Sequence, residues 1–154
     1  MHRHRQHVTW LALVLALGGL TTAARSAIEA RTLAAPEIII VHGGALPEQR
    51  VLASIEENHR LLLSVNRPAP FPSAPLSERP ALQLALFWGW EWHATAESPE
   101  RLRALRPGQA NQRGTFYPAT GTAPALLMVG HTAGVVSDSG LAILARHAVP
   151  VRLP

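Results

Sequence analysis

The chain contains no cysteine and no lysine, and it has a single aspartate, Asp138, and a single tyrosine, Tyr117. Without cysteine there can be no disulfide, no thiolate zinc site, no cysteine nucleophile and no cysteine-linked lipid anchor. Without lysine there is neither a P-loop lysine to hold phosphates nor an amine for Schiff-base chemistry, and no Gly-x-Gly-x-x-Gly run is present. All 14 basic residues are therefore arginine, and with the abundance of Ala, Leu and Pro they point to GC-rich coding of a bacterial kind. Charge is sparse as well, at 16% of residues against a usual quarter or so. The hydrophobic share of 47% is ordinary for a globular chain, and 154 residues suit one domain rather than two.

The first stretch reads as an address. Arg3 and Arg5 precede the apolar run Val8–Leu20, followed by the small residues Thr21 to Ala24. Positive start, short greasy middle and small residues at the end match a secretory signal peptide. The run of 13 residues would span only about 20 Å as a helix, short of the ~30 Å hydrocarbon core. Residues 1–24 are thus expected to be a signal peptide or, if retained, an N-terminal anchor. The mature protein is expected outside the cytosol, periplasmic or extracellular. Removal of 1–24 takes Arg3 and Arg5 with it and brings the formal charge from +4 to +2. Such a balance gives no reason to expect a nucleic-acid partner.

Residues 25–36, rich in Ala and Arg, are expected to be a flexible tether, and residues 37–154 a single globular domain. Glu37–His42 is a β-branched run that predicts a strand, broken by Gly43-Gly44, with Arg50–Ala53 as a possible return. Ser54-Ile55-Glu56-Glu57 has the form of a capping box, in which the Ser54 hydroxyl accepts from the Glu57 amide and the Glu57 carboxylate reaches back. The helix it opens carries an apolar stripe of Ile55, Leu62 and Leu61 or Val65, and should stop by Asn66 because Arg67 precedes Pro68. Residues 67–80 hold five prolines and predict an extended loop.

The clearest pattern lies between Leu82 and Trp92, where Leu82, Leu84, Leu86, Trp88, Trp90 and Trp92 occupy alternate positions. Period two predicts one long strand with a heavily apolar face, bent or bulged at Gly89, where a bulge would turn the later tryptophans to a different face. Ser98-Pro99 opens a short helix that ends before Pro107-Gly108. Gly114–Pro118 and Pro124–Val129 pair as a hairpin, and Gly134–Val136 is a short strand; Ser137-Asp138-Ser139-Gly140 then leads either into a tight turn or, as the caps favour, into a helix that Ser137 opens and that runs to about His147. Val149–Leu153 is expected to close the sheet as an edge strand. Together these elements predict an α+β fold, with a mostly antiparallel sheet of about five strands and two or three short helices packed on it.

Candidate chemistry is thin. Trp88, Trp90 and Trp92 could present aromatic faces to a sugar, a base or an apolar ligand, with Tyr117, and with His42 beside its two glycines, as further contacts. Beyond residue 24 the histidines are His42, His59, His93, His131 and His147, none at i, i+2 or i, i+4 from another, so no metal site and no cofactor are expected. Asp138-Ser139-Gly140, following Val135-Val136, resembles the Asp-Thr/Ser-Gly loop of aspartic proteases, which work with two such loops. The catalytic candidates are Asp138 and Ser139 with His131 or His147. The Arg residues at 101, 103, 106 and 113 alternate with Glu97 and Glu100 and read as a solvated face.

The leading expectation is a non-catalytic envelope or extracellular binding or accessory module, partnered by an unidentified ligand or envelope protein. Membrane contact is expected only through an uncleaved N-terminal segment. The alternatives are a small hydrolase using Asp138 with a nearby histidine, and a purely structural envelope domain.

Overall fold

Four consecutive residues without a polar atom in their side chains begin the folded part, and their environment shows what the sheet needs. Ile38, Ile39, Ile40 and Val41 have no solvent exposure at all, so both faces of their strand are covered. The computed structural model describes residues 35–44, 46–66, 76–121, 123–130 and 132–154. The expected signal peptide 1–24, residues 25–34 of the expected tether, residues 67–75 of the expected Pro-rich loop and His131 lie outside the described residues.

In chain order the first elements are β1 (Ile38–His42), β2 (Arg50–Leu52), α1 (Ile55–Leu63), β3 (Val65–Asn66) and β4 (Leu82–Phe87). Two short helices follow, α2 (His93–Ala96) and α3 (Pro99–Ala104), and then β5 (Gln112–Tyr117), β6 (Ala119–Thr120), β7 (Leu126–Val129) and β8 (Thr132–Val136). The chain closes with α4 (Asp138–Arg146) and β9 (Arg152–Leu153). The fold is α+β, built on a seven-stranded sheet in the order β2-β1-β4-β5-β7-β8-β3. Every pairing in that sheet is antiparallel. The count exceeds the expected five in part because β3 has only two residues and leaves no periodic trace in the sequence. Val149–Leu153 does not close this sheet. Pro150 cannot donate to a ladder, and only Arg152–Leu153 is strand, lying parallel to β6 in a separate pair.

Side chains of alternate residues enter two cores. On one face Ile39, Val41, Leu82, Leu84, Leu86 and Phe116 meet Leu61 of α1 and Ile143 and Leu144 of α4. On the other, Ile38, Ile40, Ala85 and Phe87 meet Leu105, with Ala96 of α2 and Leu102 of α3 packed against them. Each fully buried aliphatic or aromatic side chain contributes about 1.5–3 kcal/mol, so these two layers are the principal stabilising term.

The helix at Ile55 starts as its sequence demands, since Ser54 Oγ accepts from the Glu57 amide at 3.3 Å. The reciprocal half of the box is not made. Glu57 instead reaches the far end of α4, where Oε1 accepts from Arg146 Nη2 at 2.6 Å and Oε2 lies 2.8 Å from His147 Nε2. Two charge-assisted contacts outweigh one reach-back to an exposed amide. The stripe also differs from expectation. Ile55 is 47% exposed and Leu63 60% exposed, while Asn58 and Leu61 are buried. Asn58 is the polar member because its Nδ2 donates to Pro36 O at 2.9 Å and to Glu37 O at 3.2 Å, and reaches toward Leu52 O at 3.4 Å. One amide thus ties α1 to the start of β1 and the end of β2. Where α4 crosses the end of α1, Gly140 is buried, and a Cβ on it would run into the Ser64 hydroxyl and Val136.

Replacement Asn58→Leu should lower stability by about 2 kcal/mol, the cost of leaving buried carbonyls without donors. Asn58→Asp should be worse at neutral pH, because a carboxylate would face the same carbonyl oxygens; urea denaturation of both variants checks the order. Glu57 is held below its ordinary carboxylate range, first by the His147 hydrogen bond and then by that of Arg146. A depressed folded value means the contribution is complete above about 4.5 and disappears as pH falls through the folded value. Glu57→Gln should cost about 1 kcal/mol at pH 7 and flatten the acid limb of the stability profile, followed by thermal melts from pH 7 to pH 3.

Candidate functional site

The alternation at Leu82, Leu84, Leu86 and Trp88 persists for only part of its length. β4 ends at Phe87, and the eleven-residue strand expected from the pattern is not formed. Trp88 still follows the strand, packing against the α1/α4 core. Its backbone is paired by a side chain rather than a neighbouring strand: Asn111 Oδ1 accepts from the Trp88 amide at 2.8 Å and Asn111 Nδ2 donates to the Trp88 carbonyl at 2.6 Å. Gly89 then takes φ +117°, a region that L side chains rarely adopt, and a Cβ there would strike the Glu91 carboxylate. The chain turns into one helical turn over Trp90–Trp92, with the Trp92 amide donating to Gly89 O at 3.1 Å. Trp92 reaches the opposite core and meets Phe87 edge-on, with ring centroids 4.8 Å apart at 74°.

The three tryptophans therefore do not share a face. Trp88 and Trp92 are half-buried on opposite sides of the sheet, and Trp90, between them, is 85% exposed. The bend at Gly89 decides this. Its anchors are apolar packing, since the indole nitrogens of Trp88 and Trp92 are buried and make no hydrogen bond among the described residues.

His42 and Tyr117 belong to the other end of the sheet. His42 pairs with Gln83 and Gln83 with Thr115, so His42 lies near the start of β4 while Trp88 follows its end. Five residues of strand separate Gln83 from Trp88, roughly 16 Å. The structure does not bring the five expected contact residues together. Tyr117 is also half-engaged already. The Arg79 guanidinium lies 5.8 Å from its ring centroid, held there by Nη2 donating to Pro118 O at 2.9 Å and Pro124 O at 2.8 Å. α2 and α3 cover the Ile38, Ile40, Ala85 and Phe87 half of their face. By strand alternation the same face continues with His42, Gln83, Arg113, Thr115 and Tyr117, of which Gln83 and Arg113 are exposed.

The catalytic candidates are dispersed. Asp138 and Ser139 occupy the exposed first turn of α4, and Ser137 Oγ lies 2.9 Å from Ser139 Oγ. Ser137 stands at the cap position without making the side-chain bond. His147 caps the other end of the same helix, nine residues on and about 13 Å from Asp138, with its Nε2 occupied by Glu57. His131 lies outside the described residues. The segment whose sequence resembles a protease loop is the first turn of the helix expected after Ser137.

Two histidine–carboxylate contacts escaped sequence reasoning, because their partners are distant in the chain. Besides Glu57 with His147, His93 Nδ1 lies 3.3 Å from Glu37 Oε2 and His93 Nε2 lies 3.4 Å from Glu97 Oε1. Only His93 and Glu97, four apart in one helical stretch, carried a readable spacing. Among the described residues no group of three His, Cys, Asp or Glu is placed to hold a metal ion. Comparison with protein-family models, with curated proteins and with solved structures finds no match for the chain.

His42 provides a pH test. Its burial, and then the Arg113 charge, hold its imidazole below the ordinary value of about 6.5. The neutral form is the one the fold favours, so stability is complete above that value and declines as pH falls from there through the folded value. In His42→Asn the urea midpoint should change less between pH 7.5 and pH 5.5 than in the parent; identical slopes would assign the effect elsewhere.

Proposed function

We propose that the protein is an exported, non-catalytic binding module of the bacterial envelope, and that Trp90 is its principal contact. The observation that carries this is the 85% exposure of Trp90 on a turn whose base is held from both sides. Trp88 and Trp92 anchor in opposite cores, Asn111 clamps the Trp88 backbone, and Gly89 provides the bend. A large, amphipathic side chain on an anchored turn has only two side-chain torsions left to fix on binding, which is the property that makes tryptophan a strong contact residue. Such an indole suits the face of a sugar ring in an envelope polysaccharide.

Export rests on residues 1–24, whose pattern is that of a signal peptide. Among the described residues no helix is long and apolar enough to cross a membrane.

The test compares the full chain with Trp90→Ala in co-sedimentation with purified murein sacculi and, separately, with phosphatidylglycerol vesicles. Stability should stay within about 0.5 kcal/mol, as for other exposed positions. Retention on sacculi should fall at least about fivefold, given what truncation of a contact tryptophan commonly removes. Equal retention of the two chains, or none by either, defeats the proposal; preference for vesicles replaces the polysaccharide with a lipid surface.

A further inference from the structure

A second surface, independent of Trp90, lies at the edge of the sheet. β2 is an outer strand, so one side of its backbone has no ladder partner among the described residues. On the sheet face that Val51 shares with Ile40, β2 and α3 with the residues after it line an open groove of about 630 Å³. Val51 of β2 and Pro99 and Leu102 of α3 line it with apolar surface, and Arg103 and Arg106 stand on its helical side. Glu48 and Gln49 line it where the chain enters β2. Gln49 is fastened across, its Nε2 lying 3.4 Å from the Leu105 carbonyl, so strand and helix are joined at that end.

The charges are unbalanced in a way that selects an occupant. Among the described residues neither Arg103 nor Arg106 pairs with a carboxylate. Arg106 is already oriented, with Nη1 donating to Arg103 O at 2.8 Å and Leu105 O at 3.1 Å. The one acid of the groove, Glu48, lies 3.9 Å from Arg50. Two cations beside an apolar floor complement a carboxylate next to an apolar side chain. The unpaired strand edge adds main-chain donors and acceptors, which side-chain recognition alone does not use.

We infer that this groove binds an extended, acidic peptide segment of a partner protein by strand addition along β2. One apolar side chain of the peptide enters between Val51 and Leu102, and its neighbouring carboxylates meet Arg103 and Arg106. The three residues of β2 offer about 10 Å of pairing, enough for a short motif and too little for a long sheet extension. Alternation of side chains along an added strand sends every second residue into the groove. Arg103 and Arg106, two of the four arginines that read in sequence as a solvated face, are the specificity element of this site.

The probe is a fluorescein-labelled peptide of eight residues alternating valine and glutamate, titrated into the isotopically labelled full chain. Saturable binding should shift the backbone amides of residues 48–52 and 99–106. Arg103→Glu should weaken it about tenfold, as expected for loss of a charge-assisted pair, while its melting temperature stays that of the parent because Arg103 is exposed. A peptide with lysine for glutamate should not bind, which tests the charge requirement without altering the protein. A peptide N-methylated at alternate residues should also fail, which tests strand addition. Absence of binding, equal binding of the lysine peptide, or an unchanged Arg103→Glu variant overturns the proposal. Equal binding of the N-methylated peptide, or full displacement by hexanoate at the same concentration, overturns it in favour of a simple carboxylate site.

Discussion

Burial of β1 and β4 on both faces is the constraint from which the remaining architecture follows. Ile38 to Val41 and Leu84 to Phe87 present apolar side chains up and down, and a sheet with two apolar faces requires a layer on each. α1 and α4 cover one face with Leu61, Ile143 and Leu144. The segment from Trp92 to Ala110 covers part of the other. If either layer were removed, several large side chains would meet water at about 1.5–3 kcal/mol each, more than a domain of marginal stability can lose.

Covering the sheet closely forces polar solutions at its margins. α1 packs where the chain enters the sheet, so it carries Asn58, whose amide satisfies carbonyls that no strand reaches. α4 crosses the end of α1 at a glycine, because a side chain at Gly140 would collide with Ser64. Glu57 then joins the two helices at the positive end of one and the negative end of the other, where a carboxylate and cations are each favoured. These contacts contribute modestly in energy, but they set how the helices sit on the sheet.

The same margins produce the surfaces available for contact. Gly89 ends β4 and throws Trp90 outward because Trp88 and Trp92 are already committed to opposite cores. β2 is the outer strand of the sheet and has no ladder partner on one side among the described residues.

Much of the secondary structure was legible in the residues. The run Glu37–His42, the Ser54 and Ser98 caps, the stop before Pro107 and the antiparallel pairing of β5 with β7 all rest on local chemistry, and they form where that chemistry operates. The candidate site was legible only in part, because a period-two pattern records alternation and not where a strand ends. Gly89 marked a change of face after Trp88, but the torsion it takes and the side chain of Asn111, distant in the chain, are what distribute Trp88, Trp90 and Trp92 to three environments. By itself the sequence determined the absence of thiol and amine chemistry, the character of the fold and the start of most helices, since these depend on residue type and near neighbours. Tertiary structure decided that Asn58 is interior, that Glu57 reaches α4 instead of its own cap, and that Trp90 alone stands in solvent, because each depends on which distant surfaces are brought together.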